Sequence, residues 1–391
     1  MFSRRNKSIS ATAICCLVFL LPPICLSASE NKQKESSPVL FDSIWDSSRL
    51  YSNKENPSIQ SFSIVGRYHG QYWRADSESN RDDAWENRRM YFGFNSKFLQ
   101  QFTFELQISL NDDFNPTYEG LYDAFIKWET STKDFEVSVG RLDYVYTGLE
   151  RSTSSKKIKT MERALVVNQV MPGEVIGLYA EGNRGNFSYQ SGLFSGSIED
   201  EFTDFSGGFA ALLGVAYKMP LFYKKGTLHL DVLYNNADPD NNAFEPYEHI
   251  ISLWHQGQVG PFEIDTDITT AAGTDGQSDL FGITVLPTYD FARNLIIQGD
   301  KMQLSLRYHY AKSSDNYGLQ LGKRYEQKVA SGSGDSYNSY YMGLNYSIYQ
   351  QKLKLMSGLE YFDMKNVSAD DNPTPHNVTG WSFISGIRLY F

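Results

Sequence analysis

From Phe62 onward the chain alternates apolar and polar residues with a period of two. The clearest stretch is Phe102 to Leu110: Phe102, Phe104, Leu106, Ile108 and Leu110 alternate with Thr103, Glu105, Gln107 and Ser109. Successive side chains of a strand point to opposite faces, so this stretch predicts a strand with one apolar and one polar side. The pattern recurs. Ile64, Gly66, Tyr68, Gly70 and Tyr72 alternate with Val65, Arg67, His69 and Gln71; Met90, Phe92 and Phe94 with Arg89, Tyr91 and Asn95; Ala124, Ile126 and Trp128 with Asp123, Lys127 and Glu129. About sixteen candidate strands follow from this count, the number expected of a transmembrane antiparallel β-barrel whose apolar face meets lipid and whose polar face lines water.

The connections support the same all-β architecture. Short ones, such as residues 183–186, 224–226 and 350–352, alternate with long polar ones at residues 238–248, 313–336 and 365–379. Short turns at one rim and long loops at the other are the usual asymmetry of an outer-membrane barrel. A repeat of fixed period, the mark of a solenoid or propeller, is absent from the sequence. In the last strand Trp381, Phe383, Ile387, Leu389 and Phe391 share one face. That final aromatic resembles the signal read by the barrel-assembly machinery, which can dock it by strand addition.

The N-terminus carries Arg4, Arg5 and Lys7, then a mostly apolar run from Ile9 to Leu26, then the small residues Ser27, Ala28 and Ser29. This is a secretory layout. The predicted organisation is a signal peptide over residues 1–28, an irregular polar periplasmic segment over 29–60, and the barrel over 61–391. All three cysteines (Cys15, Cys16 and Cys25) fall in the signal region, so the exported chain has neither disulfides nor thiolate chemistry.

Composition narrows the function. Aromatics make up 15% of the chain, with 26 Tyr and 25 Phe, and suit a pleated surface. Mean hydropathy is −0.42, which excludes a helical membrane protein but not a barrel, where the two faces average out. Net charge is −10, and loss of Arg4, Arg5 and Lys7 takes it to −13, against the basic balance of a nucleic-acid binder. Neither a Gly-x-Ser-x-Gly elbow, nor a phosphate-binding Walker loop, nor a His-Glu-x-x-His motif is present. The histidines (His69, His229, His249, His255, His309 and His376) are scattered and read as lumen or loop residues. Asp238, Asp240 and Asn242, or Asp370, Asp371 and Asn372, offer oxygen ligands to Ca²⁺ but lack the twelve-residue loop pattern, and read as solvated turns. Catalytic residues, a metal and a cofactor are all unassigned.

One stretch stands out. Residues 140–182 open with Gly140-Arg141-Leu142-Asp143, continue through Gly148-Leu149-Glu150-Arg151 and Ser155-Lys156-Lys157-Ile158-Lys159 to Met161-Glu162-Arg163, and end with Pro172-Gly173 before Ile176-Gly177. A connection of about thirty residues after the fifth strand is rarely kept without a use. Together with Arg88-Arg89-Met90-Tyr91-Phe92-Gly93-Phe94 upstream, these residues resemble the phosphate-selective porin O and P family. The resemblance implies a sixteen-stranded homotrimeric channel, some members being anion-selective, with an inward-folded constriction loop.

The residues themselves partly agree. Arg151, Lys156, Lys157, Lys159 and Arg163 place five cations in thirteen residues, and Arg67, Arg89, Lys127 and Arg307 lie on the polar faces of their strands. In a narrow low-dielectric tube such charges would concentrate anions; equally, they could pair with Glu150 and Glu162 and hold the loop. Glu263, Asp265 and Asp267, with Glu105, Glu129, Asp231 and Glu360, also point inward, so basic early strands and acidic later strands would set a field across the pore. The expected function is passive diffusion of small hydrophilic solutes, with an anion or phosphate preference, in the outer membrane of a Gram-negative bacterium. The alternatives are a barrel acting as an adhesin or structural surface protein, or an outer-membrane hydrolase.

Overall fold

The computed structural model describes residues 37–391 apart from 79, 200, 220–224, 237, 316–317, 322–323, 331–332 and 366–376. The signal segment lies outside the described residues. The wall consists of β2 (Ile59–Ser77), β3 (Arg81–Phe98), β4 (Phe102–Leu110), β5 (Tyr118–Glu129), β6 (Phe135–Leu142), β7 (Val175–Arg184), β8 (Phe187–Ser195), β9 (Phe209–Lys218), β10 (Lys225–Asn235), β11 (Tyr247–Val259), β12 (Phe262–Gly273), β13 (Leu280–Arg293), β14 (Lys301–Ser313), β17 (Ser336–Tyr349), β18 (Leu353–Lys365) and β19 (Val378–Tyr390). Each pairs antiparallel with its sequence neighbours, and β19 pairs with β2 from Gly380↔Ser77 to Tyr390↔Arg67. The sheet is therefore a closed barrel of sixteen strands, as the alternation predicts.

Burial is inverted relative to a soluble protein. Leu213 is 66% exposed, Met342 55% and Leu230 42%, all on the outer face, while inward-facing Asp231 is 1% exposed, Arg307 2% and Arg388 1%. Apolar side chains stand outside and charged ones inside, which is the arrangement a hydrocarbon solvent selects.

The ends of the wall meet at a tight seam. Gly66 N–H donates to Phe391 O and Phe391 N–H to Gly66 O, both at 3.1 Å. The Phe391 ring lies over Gly66, where a Cβ would sit 2.5 Å from Cζ, so glycine is what allows the terminal aromatic to close against β2.

Residues 37–52, read as irregular, fold into two elements. Helix α1 (Ser37–Asp46) places Phe41 and Trp45 one turn apart against Tyr349, with ring centroids 5.3 and 4.9 Å away. Trp45 Nε1–H donates to Tyr390 O at 2.6 Å. Strand β1 (Arg49–Ser52) then pairs with Ser61–Ser63 of β2, below the point where β19 ends. Val39, Leu40, Phe41, Ile44 and Trp45 are apolar, but a helix of ten residues is marginal on its own, and its order comes from these tertiary contacts.

A double-mutant cycle tests the seam. Gly66→Ala is expected to destabilise the barrel by about 1–3 kcal/mol, as overpacking does. In a Phe391→Ala background the same change costs much less. Urea unfolding of the refolded barrel in lipid vesicles measures both; equal costs in the two backgrounds contradict the packing.

Candidate functional site: the lumen and its inward loops

The loop of residues 143–174, between the fifth and sixth wall strands, lies within the barrel and is bonded to inward-facing groups on well-separated strands. Gly148 N–H donates to Asp231 Oδ2 (3.1 Å) and Leu149 N–H to Asp267 Oδ2 (2.6 Å), anchoring the short helix α2 (Leu149–Ser152) to β10 and β12. Gly148 has φ 76°, and a Cβ there would fall 2.6 Å from Asp267 Oδ2. Across the lumen, Tyr341 Oη accepts from Met161 N–H (3.1 Å) and Asn345 Nδ2 donates to Lys159 O (2.8 Å). Helix α3 (Leu165–Val170) buries its apolar residues in a cluster with Leu212, Leu233, Tyr247, Leu280 and Phe362. Between the loop and the wall is a cavity of about 430 Å³ lined by Lys157, Lys159, Gln256, Glu263 and Asp265, among others.

A second connection also turns inward. Residues 314–335, read as a long outer loop, carry the pair β15 (Leu319–Gln320) and β16 (Ser333–Gly334) and the 3₁₀ turn η1 (Tyr325–Lys328). Tyr325 stacks on Trp73 at 4.8 Å and its hydroxyl donates to Glu86. The sequence read polar here because the apolar residues are few, but Leu319, Leu321, Tyr325, Val329 and Ala330 are all buried.

One buried ion network locks the two loops to the wall. Arg307 on β14 bonds Glu150 of the first loop (2.8 Å) and both oxygens of Glu360 on β18 (3.0 Å). Arg324 of the second loop bonds Glu360 (2.7 Å) and Glu326 (2.8 and 3.0 Å), and also donates to Arg163 O of the first loop. Glu360 thus holds two guanidinium groups, one from the wall and one from a loop.

The sequence-predicted cations divide by partner. Arg151 pairs with Asp143 at 2.5 Å. Burial works to raise Asp143, but the Arg151 guanidinium outweighs it and holds the carboxyl below its ordinary range. Lys159 bonds Glu263 (3.0 Å) and Asp265. Arg163 donates to the carbonyls of Glu150 (2.9 Å) and Thr153 (3.1 Å), and burial with the neighbouring Arg89 and Arg151 charges brings it down to about 10. Lys127 bonds Glu136 at 3.2 Å. Arg67 donates to Ser155 Oγ at 2.7 Å and lies over the Tyr91 and Tyr122 rings. These residues and Arg307 brace the loop and wall. Lys156, its ammonium 5.1 Å from the Tyr390 ring, Lys157 and Arg89 remain without a carboxylate at ion-pair distance among the described residues.

The strongest basic feature is set by strand register rather than by spacing along the chain. The pairing register sets Lys301, Ser347, Lys354, Arg388, His69 and Arg89 side by side across β14, β17, β18, β19, β2 and β3. All six are on inward positions, forming a belt of four cations over neighbouring strands. Lys301 pairs with Asp290 at 2.7 Å. Among the described residues Lys354 donates only to Ile158 O, at 3.4 Å, and Arg388 leaves Nε and Nη1 without partners. His69 is 0% exposed with both ring nitrogens unpartnered. Two of these cations, Lys354 and Arg388, occupy polar positions of the last two strands, opposite the apolar face that the alternation displays. A β-bulge adds to the belt: His69 pairs with Arg89 and Gly70 with Asn87, so Arg88 is an extra residue and also turns inward, 3.8 Å from Glu162.

The inward carboxylates occupy a different arc from that expected. Glu105, Asp123, Glu129, Glu136, Glu181, Asp231, Glu263, Asp265 and Asp267 lie on β4–β7, β10 and β12, while the free cations flank the β19–β2 seam. With Glu360 on β18, inward carboxylates thus stand on early and late strands alike, while the cations without a carboxylate partner gather on β18, β19 and β3, so the lumen does not divide into basic early and acidic late strands. Among the described residues there is no cluster of metal-ligating side chains. Asp238 Oδ1 accepts from Asp240 N–H at 3.0 Å, a local turn, while Asp370, Asp371, Asn372 and His376 lie outside the described residues.

A closed barrel with an apolar outer wall, a charged lumen and inward-folded loops defines an outer-membrane porin. The family model described as phosphate-selective porin O and P matches residues 62–246, bearing out the resemblance in the sequence. Among solved structures, the outer-membrane protein OmpT of Vibrio cholerae is 11% identical, with a TM-score of 0.55 over 87% of this chain and 100% of its own. Pseudomonas putida OprB is 12% identical, with a TM-score of 0.55 over 84% and 94%. The anion-selective porin of Comamonas acidovorans is 11% identical, with a TM-score of 0.54 over 85% and 99%. At these identities the likeness is one of fold. No curated protein sequence matches the chain.

Replacing Arg307 tests the network. Arg307→Met leaves Glu150 and Glu360 buried without their shared cation, a change expected to cost about 3–5 kcal/mol. Unfolding in detergent is expected at lower urea, and residues 143–174 become open to limited proteolysis. Unchanged stability and unchanged protease resistance would contradict the bracing role.

Proposed function

We propose that the lumen is a passive channel for small hydrophilic solutes with a preference for anions such as phosphate, and that it makes and breaks no bonds. The observation that carries this reading is the belt Lys354–Arg388–His69–Arg89, whose cations have no carboxylate at ion-pair distance among the described residues. The carboxylates, by contrast, are largely engaged. Asp231 and Asp267 accept loop N–H groups, Asp265 and Glu263 hold Lys159, and Glu150 and Glu360 hold Arg307. An acidic chain can therefore present a cationic lumen to a permeating ion. Arg suits a phosphate oxygen pair, and the dry wall around it strengthens the attraction.

The long loops would face the cell exterior and α1 the periplasm, with residues 1–28 removed as a signal peptide and 29–60 forming the periplasmic segment. Outer-membrane lipid against the apolar wall, assembly through Phe391 and a homotrimer complete the reading. The trimer is supported by the family resemblance and by the Vibrio cholerae OmpT structure described as a trimer form. A second reading, a surface or structural barrel with a closed lumen, is favoured by the apolar packing of both loops.

Reversal potential in a KCl gradient across a planar bilayer separates these. The wild type is expected to be anion-selective. Three charges seen from about 15 Å at an effective dielectric of about 20 each contribute about 1 kcal/mol before screening. The triple change Arg89→Gln, Lys354→Gln, Arg388→Gln should therefore lower the anion-to-cation ratio by about tenfold or more. A cation-selective wild type overturns the anion preference, and absence of conductance favours the closed barrel.

A further inference from the structure

Two β-bulges load the same quarter of the lumen with opposite charges. On β3 the bulge turns both Arg88 and Arg89 inward. On β5, Gln107 pairs with Asp123 and Ile108 with Leu121, so Tyr122 is the extra residue and both Tyr122 and Asp123 face the lumen. Tyr122 stacks on Tyr91 at 4.0 Å, joining the two bulged strands across β4. A bulge re-aims side chains at the cost of a ladder bond, and two of them on strands either side of β4 concentrate polar groups that strict alternation would send to the lipid face.

The groups so placed are incompletely satisfied. Asp123 is 7% exposed and its Oδ1 has no partner; its Oδ2 is 3.5 Å from Gln107 Nε2. Glu105, on the intervening strand, takes Asn95 Nδ2 at 2.9 Å and also Gln107 Nε2. On the other side Arg89 has no carboxylate at ion-pair distance among the described residues, and the half-buried Lys156 reaches in from the loop. Burial and the Arg67 charge hold Lys156 below the ordinary lysine range, against the pull of Glu105 and Asp123, so both signs act on one small space.

A simple anion here would leave a buried carboxylate oxygen unpaired, and a simple cation would leave Arg89 unpaired; either costs desolvation without return. A solute with both charges satisfies both. Arg89 and Asp123 stand two strands apart, about 10 Å, and the pairings Asp123↔Gln107 and Gln107↔Gly93 set them four residues apart along the strand direction, about 13 Å; their backbones are thus roughly 16 Å apart and the long Arg89 side chain shortens the gap. An extended dipeptide spans about 7 Å.

We propose that this quarter of the lumen binds small zwitterions of dipeptide size, Arg89 taking the anionic group and Asp123 with Glu105 the cationic one. The proposal rests on the channel reading and names a solute class for it.

Current interruptions in planar bilayers test it, with glycylglycine and inorganic phosphate as probes on the full-length folded protein. Glycylglycine is expected to interrupt the wild-type current. Asp123→Asn weakens that interruption about tenfold or more, the worth of a charged hydrogen bond, while phosphate interruption persists or strengthens. Glu105→Gln, farther from the bulge, gives a smaller loss, and Arg89→Gln weakens both probes. Interruption by phosphate alone, or equal glycylglycine interruption in the wild type and both acidic variants, overturns the zwitterion site while leaving the channel reading in place. If the wild type carries no current, the channel reading falls. Calorimetric titration of the same detergent-solubilised protein with glycylglycine then decides the site: heat in the wild type but not in Asp123→Asn supports it, and no heat in the wild type overturns it.

Discussion

In hydrocarbon a backbone N–H or C=O has no water to turn to, and leaving one unpaired costs several kcal/mol. A sheet meets this constraint only by having no edge, and the pairing of β19 with β2 removes it. Much else in the molecule follows from closure. Once the wall is continuous, side-chain alternation assigns every second residue to lipid and the rest to the lumen, which explains why Leu230 is exposed beside a buried Asp231. At the end of that ladder the Phe391 ring lies on the side-chain-free surface of Gly66.

A barrel of this width would leave a broad lumen, and two connections fill part of it. Apolar packing holds part of each, α3 against Leu212, Leu233, Leu280 and Phe362, and Tyr325 and Val329 against Trp73 and Tyr341, while the rest of the inner wall is polar. The polar anchors of the first loop are its backbone N–H groups on Asp231 and Asp267, its Lys159 on Asp265, and its Glu150 on the wall's Arg307. This has an electrostatic consequence. Wall carboxylates that brace the loops are neutralised by them, and the cations near the seam, which brace little, set the local field. Formal charge counted along the chain, −10, says little about the sign of the potential that a solute meets inside.

The alternation of strands such as Phe102–Leu110 was legible because a period of two survives averaging, and the loop after the fifth wall strand was legible from its length and charge. Individual roles within that loop were not. Nothing in the spacing of Arg151, Lys159 and Arg163 distinguishes a paired cation from one open to solute, since Asp265 comes from a distant strand and Asp143, though in the same loop, is brought to Arg151 only by the loop's fold. Arg388 and Lys354 escaped notice because a belt across strands is a property of register, which sequence alone does not fix. The bulges at Arg88 and Tyr122 break the alternation by one residue, and from sequence they look like noise. The inward turn of residues 314–335 rests on long-range contacts such as Arg324 with Glu360.

The central claim is that the alternate residues of each wall strand meet lipid and water respectively, and the absence of cysteine after Cys25 makes it directly measurable. Single cysteines at Leu230, Leu253 and Ile268, and at their neighbours Asp231, Ser252 and Thr269, can carry an environment-sensitive fluorophore in vesicles. The account predicts quenching of the first set by a lipid-borne quencher and protection from an aqueous one, with the second set shielded from the lipid-borne quencher. Equal lipid quenching at both sets, or a protein that stays folded and soluble without detergent with all six positions shielded from both quenchers, would contradict it.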